Sequence, residues 1–176
     1  MCIRDSLRAY YYFGLVKFFG DVPLFTEARL TAGQAGTLTR TPKDEVYAQI
    51  ELDLQNAIAS LPNSQSQVGR VNKYTAYALL GKVLLYQDKF AEAASALDNV
   101  IGVYSLVSDY GSQFLRFGEN GPESVFEIQY SNQSNWYDWG CVHCSEGNYA
   151  IIMNGPRGWS GPCLLYTSPS PRDDEL

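Results

Sequence analysis

The sequence predicts an all-α-dominated chain, helical hairpins stacked into an α–α superhelix, followed by one short strand and a long loop region. Three observations predict it. Four segments before residue 104 carry apolar residues at helical spacing. Two of them, within 73–103, present small residues where paired helices must approach closely. Past residue 104 the helical period stops; one alternating run follows, and Gly, Asn, Ser, Trp and Tyr then dominate to residue 162.

The two ends are set aside first. Met1–Ser6 back-translates as ATG TGT ATA AGA GAC AG, and Cys163–Ser168 as TGT CTC TTA TAC ACA TCT. These strings are reverse complements over nearly their whole length, and they resemble a transposon-end sequencing adapter. Residues 1–6 and 163–176 are therefore expected to be adapter read-through and are left out of the fold reading. On that reading Cys2 is not a lipidation site, and the Asp173-Asp174-Glu175-Leu176 tail matches a retention signal by chance. The expected domain layout is 7–162 as part of a larger domain, with helical repeats over about 7–104 and strand and loops over about 105–162.

Composition narrows the function classes. Of 13 basic and 19 acidic residues, two and four lie in the excluded ends, which leaves net −4. Basic residues are scattered rather than gathered in a stripe, which argues against nucleic acid as a partner. No apolar run approaches the ~20 residues that span a bilayer. Cys141 and Cys144 are the cysteines left, too few for a disulfide scaffold.

Leu7 to Phe19 is apolar on almost every side, which predicts a helix buried between neighbours. Gly20-Asp21 ends it and Val22-Pro23-Leu24 leaves extended. Glu27 to Arg40, rich in Gly, Thr and Ala, reads as a loop. Thr41, Pro42 and Asp44 resemble an N-cap, first helical residue and capping box. Val46, Ile50, Leu54, Ala57, Ile58 and Leu61 then share a face, with Glu45, Gln49, Asp53 and Gln55 placed elsewhere. Pro62 marks the exit and Asn63–Gly69 a polar linker. Asn72 caps a third helix from Lys73 to about Gln87, packed through Tyr77, Leu80, Gly81 and Leu84. Gln87-Asp88-Lys89 turns into a fourth helix from Phe90 to about Val103. Ala91, Ala94, Leu97 and Ile101 form one stripe of it, and Ala93, Leu97 and Val100 its neighbour. Ser124–Tyr130 alternates as a half-buried strand does.

The pair from Tyr77 to Val100 fits the tetratricopeptide pattern. Gly81 and Ala93 are its small residues, while Tyr77, Leu80 and Leu97 fill the gaps. Tyr10, Phe13 and Gly14 repeat the first-helix spacing, and Val46–Leu61 supplies the matching second helix. The fold class is thus a tetratricopeptide-like α–α superhelix. The ordered set LRAYYYFGLVKFFGDVPLFTE, RTPKDEVYAQIELDLQNAIASLP, GRVNKYTAYALLGKVLLYQDKFAEAASALDNVI, ESVFEIQYS and EGNYAIIMNGPRGW resembles the SusD/RagB family over nearly all of 7–159. The resemblance implies a non-catalytic outer-membrane lipoprotein of Bacteroidetes type. It would face outward, bind a glycan or another small nutrient, and cap a TonB-dependent transporter, with its lipid anchor outside this segment. Two other readings stand beside it: a tetratricopeptide scaffold for protein partners, and, more weakly, a carbohydrate hydrolase.

That family binds ligand on irregular loops, which points to the run NWYDWG. Trp136, Tyr137 and Trp139 offer ring faces to the C–H-rich faces of a sugar, and Asn135 and Asp138 offer hydroxyl partners. Trp159 joins them as a ligand-binding candidate. The same rings also suit plain packing of the loop. Cys141-Val142-His143-Cys144 lacks the His that haem attachment needs after the second Cys, and lacks a second ligand pair for zinc. No metal, cofactor or catalytic residue is expected. Glu119, Glu123 and Glu127 read as surface carboxylates rather than a glycosidase pair. Tyr10-Tyr11-Tyr12 cannot form one flat platform, because helix positions diverge by ~100° per residue.

Overall fold

The computed structural model describes residues 2–27, 29–114 and 118–129. Residues 1–127 form one compact unit and 128–176 a second, which lies almost wholly outside the described residues. The first unit is helical: α1 (Cys2–Phe19), α2 (Ala32–Ala35), α3 (Lys43–Ser60), α4 (Lys73–Leu85) and α5 (Phe90–Asp98), then a 3-10 turn at Tyr110–Phe114. Helix α1 packs on α3, α3 on α4, and α4 on α5, so consecutive long helices are neighbours. This is the expected tetratricopeptide-like stacking of two helix pairs.

Each of the four longer helices turns one apolar stripe inward. Ala9, Tyr12, Phe13 and Val16 of α1 meet Val46, Ile50, Leu54 and Ala57 of α3 in one core, which Leu61 extends. Ala76, Leu80, Val83 and Leu84 of α4 continue it towards Ala93 and Ala96 of α5. These are the i, i+3, i+4, i+7 positions of amphipathic helices. On α5 the stripe through Ala93 wins: Ala91, Ala94 and Ile101 are exposed. The prediction for α1 needs correction, because Leu7, Tyr11, Leu15 and Phe18 form an outer stripe that stays exposed, Phe18 by 81%. No described element packs on that face.

The pair α4–α5 is an antiparallel hairpin closed by residues 86–89, where Asp88 takes a left-handed backbone (φ 60°) that Asp tolerates better than most residues. Its close approach depends on Gly81. A Cβ placed there would lie 2.6 Å from both Cγ and Cδ2 of Leu97. Glu51 of α3 holds the turn from outside, its Oε1 accepting from Gln87 Nε2 and Lys89 Nζ, each at 2.7 Å.

Helix ends follow the expectation in one case and depart from it in another. The Asn72 side chain accepts the Thr75 backbone N–H at 2.9 Å, as an N-cap should. Thr41 does not cap α3. Its N–H donates to Val22 O at 3.0 Å, and the helix begins at Lys43, whose N–H donates to Asp21 Oδ1 at 2.8 Å. The cap thus comes from the preceding loop, a carboxylate at the positive end of the helix dipole. The segment expected as pure loop contains α2, a single turn in which Thr31 and Gln34 bond each other's side chains and backbone.

Apart from the 3-10 turn, the described residues of 99–127 are irregular but tied down. Ser105 N–H donates to Pro122 O (3.1 Å), Val107 N–H to Glu123 Oε2 (3.1 Å), and Thr75 Oγ1 to Val125 O (3.2 Å). The strand expected at 124–130 does not form among the described residues, where two isolated bridges, Val22–Thr41 and Ile101–Tyr104, are the β-type pairing. Alternation makes a segment ready to pair, but only a partner strand makes it a strand.

Candidate functional site

The six residues expected to bind ligand, Asn135, Trp136, Tyr137, Asp138, Trp139 and Trp159, lie outside the described residues, as do Cys141, His143 and Cys144. What the structure describes is the helical base of residues 1–127 and a cleft within it.

The base is locked by a polar clamp inside the α1–α3 interface. Arg8 Nε donates to Asp53 Oδ2 at 2.6 Å and Arg8 Nη2 to Asp53 Oδ1 at 2.5 Å, a bidentate pair. Arg8 Nη1 donates to Thr26 O (3.0 Å), which brings the loop after α1 into the same network, and Gln49 Nε2 donates to Asp53 Oδ1 (2.7 Å). The Asp53 side chain is 2% exposed. Hydrogen bonds to the Asp53 carboxylate raise the Arg8 pKa above its ordinary value, against the opposing cost of burial. Sequence reasoning placed Asp53 away from the packed face. The available signal was a lone Arg within the apolar run of α1 and an acid beside Leu54, two charges on faces that must meet.

Tyr12 fixes the chain beyond α1. Its hydroxyl donates to Pro23 O (3.3 Å) and accepts from the Phe25 N–H (3.0 Å). The three adjacent tyrosines do diverge: Tyr12 is buried, whereas Tyr10 and Tyr11 are exposed and meet edge to face. Lys17 Nζ sits 4.7 Å from the Phe13 ring centre and 5.6 Å from that of Tyr86.

The cleft lies where the α3–α4 linker faces the 120–127 segment. It is open to solvent, with a volume of about 260 Å³. Its lining mixes amides, hydroxyls and one cation with ring faces: Gln67, Arg70, Asn72, Tyr104, Phe126 and Glu127. The Tyr104 hydroxyl accepts from Asn72 Nδ2 at 3.3 Å, and its ring stands edge-on to Tyr74 at 6.4 Å. Arg70 Nε donates to Gln67 Oε1. Glu127 Oε1 accepts the Asn120 N–H at 3.0 Å. Glu123 and Glu127 are therefore engaged by backbone amides, while Glu119 is exposed. Among the described residues no group of three potential metal ligands gathers, and no helix is long and apolar enough to cross a membrane.

Comparison with known proteins places this base. Residues 6–85 match the SusD-like family described as starch-binding and associating with the outer membrane. SusD-like protein P2 of Formosa agariphila is 38% identical over 157 residues, covering 86% of this chain and 30% of its own length. Among solved structures, a laminarin-binding SusD-like protein superposes with a TM-score of 0.82 at 37% identity, covering 89% of this chain and 36% of that one. Surface glycan-binding protein A of Bacteroides thetaiotaomicron, solved with laminarihexaose, gives 0.73 at 27% identity, covering 90% and 36%. The chain spans about a third of the length of the curated relatives it matches. The Gly81–Leu97 hairpin, the stacked helix pairs and these matches together make the chain a member of the SusD-like family.

Proposed function

We propose that the protein carrying this chain binds a neutral oligosaccharide at the outer face of the outer membrane and passes it, uncleaved, to a TonB-dependent transporter. One observation carries the reading: this chain superposes on a laminarin-binding SusD-like protein over 89% of its length, with a TM-score of 0.82. Within the helical base, the Arg8–Asp53 clamp and the Gly81–Leu97 contact fix how the helices pack on one another. Asn135, Trp136, Tyr137, Asp138, Trp139 and Trp159 are the proposed ligand residues, with rings stacking on sugar faces and amide or carboxylate groups meeting hydroxyls. A lipid anchor beyond this segment would hold the protein at the membrane. Supporting a binding rather than hydrolytic role, Glu123 and Glu127 spend a carboxylate oxygen on backbone amides.

The test uses the full-length protein and laminarihexaose as probe. Replacing Trp136 and Trp139 together by Ala should weaken binding in calorimetry by about a hundredfold, two ring contacts at about 1.4 kcal/mol each, without lowering the melting temperature. Unchanged affinity removes the pair from the site, and sugar cleavage by the purified protein refutes the non-catalytic reading.

A further inference from the structure

We propose that the cleft between the α3–α4 linker and the 120–127 segment is a second sugar-binding subsite, sized for one uncharged pyranose ring. Its volume of about 260 Å³ falls just under the ~300–1,000 Å³ of pockets for drug-sized ligands. That suits a single ring, not an oligosaccharide chain.

The lining suits the same ligand. Tyr104 and Phe126 present ring surface, and Phe126 is 39% exposed although it is a large apolar residue. A pyranose offers C–H faces to such rings and hydroxyls around its edge. Around these rings stand the amides of Gln67 and Asn72 and the guanidinium of Arg70. The Tyr104 hydroxyl accepts from Asn72 and so keeps its proton to donate. Arg70 and Glu127 bring one charge of each sign, which favours a neutral ligand over a phosphate or an acidic sugar.

The walls are also held before any ligand arrives. Asn72 is fixed by capping α4 through Thr75 N–H (2.9 Å), and the Thr75 hydroxyl donates to the carbonyl of Val125 (3.2 Å), a residue that lines the cleft. Tyr104 is braced by the Tyr74 ring and by Asn72. Gln65 Nε2 donates to Val71 O at 2.7 Å and pins the linker. Ordering these groups in advance lowers the entropy cost of binding. The choice of a sugar rests on the function proposed above; the small, neutral, polar character of the ligand rests on the cleft alone.

The experiment compares two variant pairs in the full-length protein, with laminarihexaose and free glucose as probes. Arg70→Ala with Phe126→Ala should weaken glucose binding, read by saturation-transfer NMR, about tenfold, with the melting temperature unchanged. Arg70→Ala alone, at an exposed position, should weaken it about threefold, and it guards against misfolding of the pair. In the Trp136→Ala, Trp139→Ala background, glucose binding should persist and then weaken by the same factor of about ten when the cleft pair is added. If the cleft variants bind both probes as before, the proposal is overturned. It is equally overturned if they melt lower with affinity unchanged, which would make the cleft a seat for another part of the same chain. Loss of binding in the cleft pair, with no effect from the tryptophan pair, would sustain this subsite and remove the aromatic-loop site. A protein that binds neither probe would refute both.

Discussion

The two helix pairs solve the same packing problem differently. Between α1 and α3 lie residues 20–42; between α4 and α5 lie only residues 86–89. Closing the longer connection costs about 1.5 kcal/mol more, at about 0.6 kcal/mol per doubling of loop length. The first pair meets that cost with contacts from far along the chain: Arg8 to Asp53, Asp21 to Lys43, Val22 to Thr41. The second is held mainly by nearby residues, with Asn72 capping Thr75 three residues on and Leu97 resting on Gly81, and Glu51 of α3 bracing its turn. A tight turn brings two helices together and leaves only fit to be settled. A long insertion leaves register open, and a directional, buried ion pair can fix it.

The largest effect should come from breaking the non-local clamp. Arg8→Ala leaves Asp53 buried with only Gln49 as side-chain partner and is expected to cost about 3 kcal/mol, read as a shift in urea midpoint. Arg8→Met with Asp53→Leu should recover most of that loss. If the single variant costs under about 1 kcal/mol, the contrast between the pairs is wrong.

Next comes the apolar contact. Gly81→Val forces a side chain into space held by Leu97 and should cost about 2 kcal/mol. Leu97→Ala added to it should restore part of the stability, giving a favourable coupling in a double-mutant cycle. Additive losses would show that α4 and α5 do not depend on that contact.

The smallest effects separate the two caps. Asn72→Ala should cost about 1 kcal/mol and Asp21→Ala about half as much, since Asp21 is exposed and anchored from a loop. Helix-resolved hydrogen exchange would report these as faster exchange in the first turn of α4 and of α3. An Asp21 effect larger than that of Asn72 would reverse the ranking of local over remote caps.

Legibility follows the same division. Asn72 as a cap, Gly81 as the close-approach residue and the turn at 87–89 were readable because each depends on neighbours within a few residues or on a helical period. Asp53 was misplaced and Thr41 wrongly given the cap of α3, because the true partners, Arg8 and Asp21, are 45 and 22 residues away. Two stripes on α5 were equally periodic, and the position of α4 chose the one through Ala93. The alternation at 124–130 promised a strand whose existence depends on a partner no local pattern names. Of the candidate site, the aromatic loop was visible as composition. The cleft was not, since it joins residues 67–72, 104 and 126–127, which have no common sequence signal.

By itself the sequence determined that this chain forms stacked helix pairs, roughly where the four long helices sit, and that Gly81 lies at a close contact, because 3.6-residue periodicity and side-chain size act over short stretches of chain. Only the tertiary structure decided which charges are buried together, which face of α1 stays uncovered, and that the α3–α4 linker meets the 120–127 segment around a polar cleft. Those outcomes depend on which distant surfaces pack, and packing chooses among local patterns that are otherwise equivalent.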